Sequence, residues 1–371
     1  MRSQSVETPL PALPAYVPSL DGLRALAVAL VMAVHYHEEF GGGWIGVQLF
    51  FVLSGFLITR ILLDAKATAT SLGAFLKAFW MRRALRIFPL FIAFMAVGEI
   101  FWQLASLPQT WPIARPWLLT YTLNLGHMLH VVPISDVYSH FWSLAVEEQF
   151  YLLWPFVIWF LGRPALRAVV LVLLVATPLA RWALVRTGVT DTFQLYFLTP
   201  TLFDSFAAGA ALVLFDLHWI RNIRGWVFGA LAITLLSGLL ANLHEGLHFA
   251  VWSLGYPYFM PSAFQYAWGY TLLNLSAALL ILGCTRKSFE IFASSLLVRL
   301  GKISYGIYVI HRPVYRVVVA IQPWLAEHFA AIVVRVISGS IFVLGSVMLA
   351  FLSYRFFETP FLKLKTYFRY R

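Results

Sequence analysis

At 371 residues the chain is long enough for two or three soluble domains, yet 61% of it is hydrophobic, 17% aromatic and only 12% charged. Its mean hydropathy is +0.79, and a soluble domain carries about a quarter charged residues, so the composition excludes a soluble enzyme and predicts an all-α polytopic transmembrane helical bundle. A single cysteine, Cys284, excludes intrachain disulfides and cysteine-based metal sites, and the net charge of +11 is explained by membrane topology without a nucleic-acid partner.

The first nineteen residues are rich in proline and lack a small-residue cleavage signature, which predicts a flexible cytoplasmic N-terminus (1–19) followed by a first helix that serves as its own targeting signal. Apolar runs of spanning length fall near 20–39, 45–63, 87–106, 141–161, 166–185, 196–215, 225–243, 263–283, 302–320 and 330–354. They make about ten spans in a membrane domain over 20–360, with a basic cytoplasmic tail at 361–371. The stretch 117–129, broken by Asn124 and Gly126, is too short to span and reads as a re-entrant or outer-surface segment, which leaves an eleventh span open. Lysine and arginine sort with this scheme. With both termini cytoplasmic, the inner loops collect most of them, while Arg115, Arg186, Arg312 and Arg316 are the main ones outside. No half-to-half repeat of the kind many transporters show is visible.

The first span places Arg24 and His35 eleven residues apart, about 1100° of helical rotation and about 16 Å of rise, so both lie on one face at two depths. Ionisable residues inside a span are functional candidates by default. Arg24 reads as a snorkelling anchor, a partner of Asp21 or a site residue. His35 reads as an interhelical hydrogen bonder or, preferably, as a general base, since imidazole titrates near neutrality. His37 lies across the helix from His35 and makes a poor metal pair with it, so no metal site is expected. In the second span Gly46, Ser54 and Gly55 serve either close helix packing or the lining of a narrow channel. Next, Arg82, Arg83 and Arg86 fall on an interfacial helix, suited to gripping phosphates or to lying on anionic lipid, and Pro89 is expected to mark the turn into the membrane. The fourth span carries a stripe of Ser143, Glu147, Tyr151 and Trp154 with Glu148 beside it. Glu147 is expected to share the outer half of the bilayer with His35 and steady its imidazole, as a carboxylate does in a triad, or else to pair with Arg24 or an outer arginine. Arg181, Asp204, His311, Arg312 and Arg335 read as helix-pair glue or interface anchors.

Taken in order, these pieces resemble the acyltransferase-3 family of integral membrane O-acyltransferases over 20–360. The resemblance is carried by Arg24 and His35 with ten residues between them, FFVLSGFLI, RRALRIFP, FWSLAVEEQFYLLWP, ISYGIYVIH and FFETP. It implies a membrane domain of the predicted size in a bacterial inner membrane, with no tightly bound cofactor. It also implies acyl-CoA (acetyl-CoA) as a cytoplasmic co-substrate and transfer to a hydroxyl of an envelope or exported glycan. By motif, His35 looks like the catalytic histidine, Arg24 its partner, Arg83 and Arg86 the basic motif, and Glu147 with Tyr151 the acidic-aromatic motif. Only a short basic tail follows Pro360, so the chain looks like a stand-alone membrane domain without an appended esterase-like domain. The expected mechanism seats the donor's phosphates on Arg24, Arg82, Arg83 and Arg86. His35 then deprotonates the acceptor, Glu147 steadies the imidazolium, and Ser54, Gly55, Ser143 and Tyr151 support the site; a covalent acyl-histidine relay stays open. The acceptor sugar is expected to stack on the aromatic segments 106–139 and 244–262. The rival reading is a proton-coupled transporter or flippase using the same polar residues as a relay.

Overall fold

The computed structural model describes residues 16–36, 41–105, 110–135, 137–188, 192–244, 256 and 265–369. His37, most of the 244–262 loop and part of the 106–139 segment lie outside the described residues. The described chain is helical throughout. Its elements are α1 (Pro18–Tyr36), α2 (Ile45–Thr68), α3 (Leu72–Ala105), α4 (Trp111–Leu119), α5 (Leu123–Met128), α6 (Trp142–Phe160), α7 (Arg163–Arg186) and α8 (Thr192–Phe197). They continue as α9 (Phe203–Leu214), α10 (Ile223–His244), α11 (Tyr270–Thr285), α12 (Ser295–Lys302), α13 (Ser304–His328), α14 (Ala331–Leu352) and α15 (Thr359–Lys363).

Where it is described, each apolar run expected to span is mostly helical. Among the described residues, seven helices are long and apolar enough to cross a membrane; α6 and α13, at 19 and 25 residues, have the length but carry the polar groups described below. The chain is therefore an integral membrane protein built as a polytopic helical bundle. Two expectations change in detail. The run near 196–215 is not one helix, because Pro200 sits in a 3-10 turn, Thr199–Leu202, that separates α8 from the twelve-residue α9. Nor does Pro89 turn the chain: α3 runs unbroken for 34 residues and carries Arg82, Arg83 and Arg86 in the same helix as the third apolar run. The hydroxyl of Tyr305 donates to the Ile87 carbonyl at 2.7 Å, tying the backbone beside that proline to α13.

The bundle is organised around α2, which packs against α1, α6, α9 and α11. Its approach to α9 is set by two glycines. A Cβ on Gly55 would lie 2.0 Å from the Phe206 carbonyl oxygen, and one on Gly209 would lie 2.0 Å from that of Val52. Gly55 is thus where two backbones meet. Between α7 and α9, Arg181 donates to both carboxylate oxygens of Asp204 at 2.8 and 2.7 Å, with both side chains buried. The pair is helix glue, as its place in apolar runs suggested. By contrast α7, α10 and α14 present exposed leucine, valine and phenylalanine side chains, the pattern of a lipid-facing surface. The short helices α4 and α5 do not span. Asn124 on α5 is fully buried, donating to the Phe197 carbonyl at 3.0 Å and to Thr199 at 2.9 Å while accepting from Gln149 at 2.9 Å, so this segment is docked against α6 and α8.

Candidate active site

Three histidines from distant parts of the chain meet at one end of the bundle. His35 stands on the last turn of α1, His311 on α13, and His140 in the 3-10 turn Ser139–Phe141 that leads into α6. His311 Nδ1 lies 2.8 Å from the Tyr308 carbonyl and 3.2 Å from that of Ile307. Carbonyls only accept, so this nitrogen carries the proton, and in the neutral ring Nε2 is left as an acceptor. His35 Nδ1 sits 2.8 Å from that Nε2 and therefore donates to it. The remaining nitrogen of His35, Nε2, then bears a lone pair. This is the logic of an oriented general base, with a second imidazole where a carboxylate commonly stands. The rings of His35 and His311 lie at 22° with centroids 5.0 Å apart, and His140 stands edge-on to both, 6.4 Å and 5.1 Å away. Both ring nitrogens of His140 are buried without a hydrogen-bond partner among the described residues. Among the described residues, no group of three or more His, Cys, Asp or Glu is placed to hold a metal ion.

A second cluster lines a narrow cavity of about 100 Å³ between α1, α2, α3, α6 and α13. Ser54 and Tyr151 both donate to Glu147 Oε1, and the two hydroxyls lie 3.2 Å apart. The Arg83 guanidinium sits 5.2 Å from the centre of the Tyr151 ring, within cation–π range. Ser143, a turn before Glu147 on α6, pairs with the Tyr308 hydroxyl at 2.8 Å, and that hydroxyl also donates to the His140 carbonyl. One side of the Ser143–Tyr308 pair thus faces the cavity and the other adjoins the histidines. The expected contact between Glu147 and His35 is replaced: Oε1 of the acid serves Ser54 and Tyr151, while Nδ1 of His35 serves His311. Ser54, Ser143, Glu147 and Tyr151 all line the cavity; Gly55 does not.

Arg24, Leu57, Arg83 and Arg86 also line a wider cavity of about 620 Å³, completed by Arg82, Lys365, Arg369 and the single acid Asp64. The two spaces therefore share a wall of three arginines. Arg24 is paired with Asp21 at 2.8 Å, yet a guanidinium has five donors and one pairing does not exhaust them. Asp21 in turn accepts from Tyr16 at 2.7 Å. Tyr16 lies outside the spans, and burial together with the neighbouring Asp21 pushes its phenol up to about 12, so it stays a donor at neutral pH.

The sequence pattern names Arg24, Ser54, Arg83, Arg86, Ser143, Glu147 and Tyr151 of the narrow cavity's polar lining but not Ser304 or Tyr305. It had not given roles to His140, Tyr308, Lys365 or Arg369, and had read His311 only as glue. The one available signal was that ISYGIYVIH places Tyr308 and His311 three residues apart, hence on one helical face.

Fold and site together define an integral membrane protein in which an arginine-rich cavity adjoins a narrow one lined by Ser54, Ser143, Glu147, Tyr151 and Tyr308, with three histidines packed behind Tyr308. A family model described as an acyltransferase domain matches residues 17–354, and the chain belongs to that family. It is 30% identical to the peptidoglycan O-acetyltransferase OatA of Listeria monocytogenes, over 94% of this chain and 56% of the relative. With the putative peptidoglycan O-acetyltransferase YrhL of Bacillus subtilis it shares 33% identity, over 93% of this chain and 55% of the relative. With the O-acetyltransferase OatA of Staphylococcus aureus it shares 28%, over 94% and 58%. The chain thus spans little more than half the length of the curated relatives it matches. No solved structure matches it.

Proposed function

We propose that this protein is a membrane O-acetyltransferase. It takes an acetyl group from cytoplasmic acetyl-CoA and passes it to a hydroxyl of an envelope glycan, with peptidoglycan the acceptor suggested by the names of its relatives. The observation that carries this reading is the lone pair of His35 Nε2, set by the hydrogen-bond chain through His311 to the Tyr308 carbonyl. The three shared arginines support a donor whose phosphates rest in the wide cavity while its extended arm enters the narrow one. Both termini on the cytoplasmic side of a bacterial inner membrane, as the positive loops suggest, put that basic end on the donor's side.

In the reaction, His35 Nε2 accepts the proton of the acceptor hydroxyl as its oxygen bonds to the thioester carbonyl carbon. The Ser143 and Tyr308 hydroxyls line the narrow cavity on the side that adjoins the histidines, and they would serve the oxyanion that forms by turning their protons away from the His140 carbonyl and from each other. As the carbonyl re-forms, the carbon–sulfur bond breaks and the imidazolium returns its proton to the departing thiolate. Acetyl has moved from sulfur to oxygen, with one proton transferred from hydroxyl to thiol. Glu147, held by Ser54 and Tyr151, fixes the cavity wall and holds the tyrosine under Arg83.

The test uses purified full-length protein in detergent with radiolabelled acetyl-CoA and muropeptide acceptors. Acetyl transfer is expected, and His35→Ala is expected to lower it by about 10²–10⁴-fold with normal membrane insertion. Retained transfer in that variant would defeat the proposal. Absence of turnover in detergent, combined with acceptor movement across proteoliposomes, would favour the transporter reading instead.

A further inference from the structure

Lys365 and Arg369 are absent from every motif that suggested a site, yet both line the wide cavity. Six basic side chains surround that space, Arg24, Arg82, Arg83, Arg86, Lys365 and Arg369, against one carboxylate, Asp64, and burial together with the neighbouring arginines brings the Lys365 ammonium down to about 7. Its volume of about 620 Å³ is that of a small-molecule site. Gathering so many like charges around one hollow is unfavourable unless anions occupy it.

The segment bearing Lys365 and Arg369 is docked. After α14 the chain passes through a π-turn, Ser353–Glu358, into α15 and a final 3-10 turn, Leu364–Tyr367, and all three pack against α3. Arg82 Nη1 donates to the Lys365 carbonyl at 3.1 Å and to the Phe368 carbonyl at 3.2 Å. Arg82 thus adds a charged donor to the Lys365 carbonyl, which already accepts from the Phe368 N–H, and caps the Phe368 carbonyl beyond the last turn. Arg82 thereby spends one nitrogen as a strap holding the segment over the cavity. Lys365 and Arg369 line the wide cavity and not the narrow one, whereas Arg24, Arg83 and Arg86 line both.

We infer that residues 364–369 form the far wall of the donor site, and that Lys365 and Arg369 bind those phosphates of a nucleotide thioester that lie most distant from its acyl group. The inference rests on the donor reading above. The same cations would suit a lipid phosphate, so the test must separate the two sources.

Binding of coenzyme A and of pantetheine, which carries no phosphate, is measured by calorimetry on the full-length protein in detergent. The Lys365→Ala/Arg369→Ala double variant is expected to bind coenzyme A about 10- to 100-fold more weakly, as loss of charge-assisted bonds implies, with pantetheine affinity at the wild-type level. Lys365→Arg with Arg369→Lys should restore coenzyme A binding. Unchanged coenzyme A affinity in the double alanine variant overturns the inference and leaves the donor reading intact. If that variant also loses co-purifying phosphatidylglycerol, the anion is a lipid headgroup. Parallel loss of pantetheine binding makes the segment a structural strap and also overturns it. Wild-type protein that neither binds coenzyme A nor turns over acetyl-CoA ends both the donor reading and this inference.

Discussion

The direction of the His35 imidazole is supplied by a residue 276 positions away. In the proposed reaction His311 acts through His35, as a positioning residue, and its own tautomer is fixed by the backbone of its helix. In His311→Gln the side-chain amide can rotate to offer His35 either a donor or an acceptor, so the tautomer is no longer imposed. The expected outcome is a fall in kcat of about 10²-fold or more, the scale seen when a base loses its orienting partner, with KM for acetyl-CoA unchanged. Steady-state kinetics alongside thermal melting check this; a parallel loss of melting temperature and of donor affinity would mark His311 as merely structural. Sequence reasoning found His35, Glu147, Tyr151 and Ser54 because each stands out in an apolar run. It paired Glu147 with His35 wrongly because depth in the bilayer is legible from a sequence while the azimuth of one helix about another is not. His311 outcompetes the acid for His35 only because α13 packs beside the end of α1.

At the level of elements, hydrophobic run length gave the helices and their order, since burying backbone in lipid leaves helix as the accessible state for each run. Local rules were less dependable. Pro89 read as a turn, yet α3 continues through it with Tyr305 bonded to the Ile87 carbonyl; tertiary packing overrode the local preference. Gly55 was readable as either a packing or a channel residue, and the α9 backbone decides for packing. Gly55→Leu would force α2 and α9 apart, because the obstacle is a backbone carbonyl that cannot rotate aside. The cost should exceed the about 1–3 kcal/mol typical of overpacked cores. Loss of the monodisperse peak in size-exclusion chromatography is the expected readout, and a folded, active Gly55→Leu protein would refute this account of the crossing.

For the whole molecule, the arrangement separates charge from chemistry. Six basic residues line the wide cavity, three of them reach into the narrow one beside its hydroxyls and single acid, and the imidazoles stand beyond Tyr308. The composition gave the membrane class and the arginine motif gave the basic end. The path between that end and the base could not be read from sequence, because it is assembled from α1, α2, α3, α6 and α13.

The hydrogen-bond chain behind His35 has one further consequence. It runs to His311 and stops on the amide oxygens of Tyr308 and Ile307, which accept a hydrogen bond but do not take up and pass on a proton. In the proposed reaction the imidazole pair is therefore a cul-de-sac: a proton borrowed at Nε2 must go back out through Nε2. Acetylation should then proceed with no net proton current across the bilayer, indifferent to membrane voltage and pH gradient. In proteoliposomes a protonophore is expected to leave the initial rate of acetyl transfer unchanged, and a rate that collapses with the gradient would mean that a second proton outlet exists.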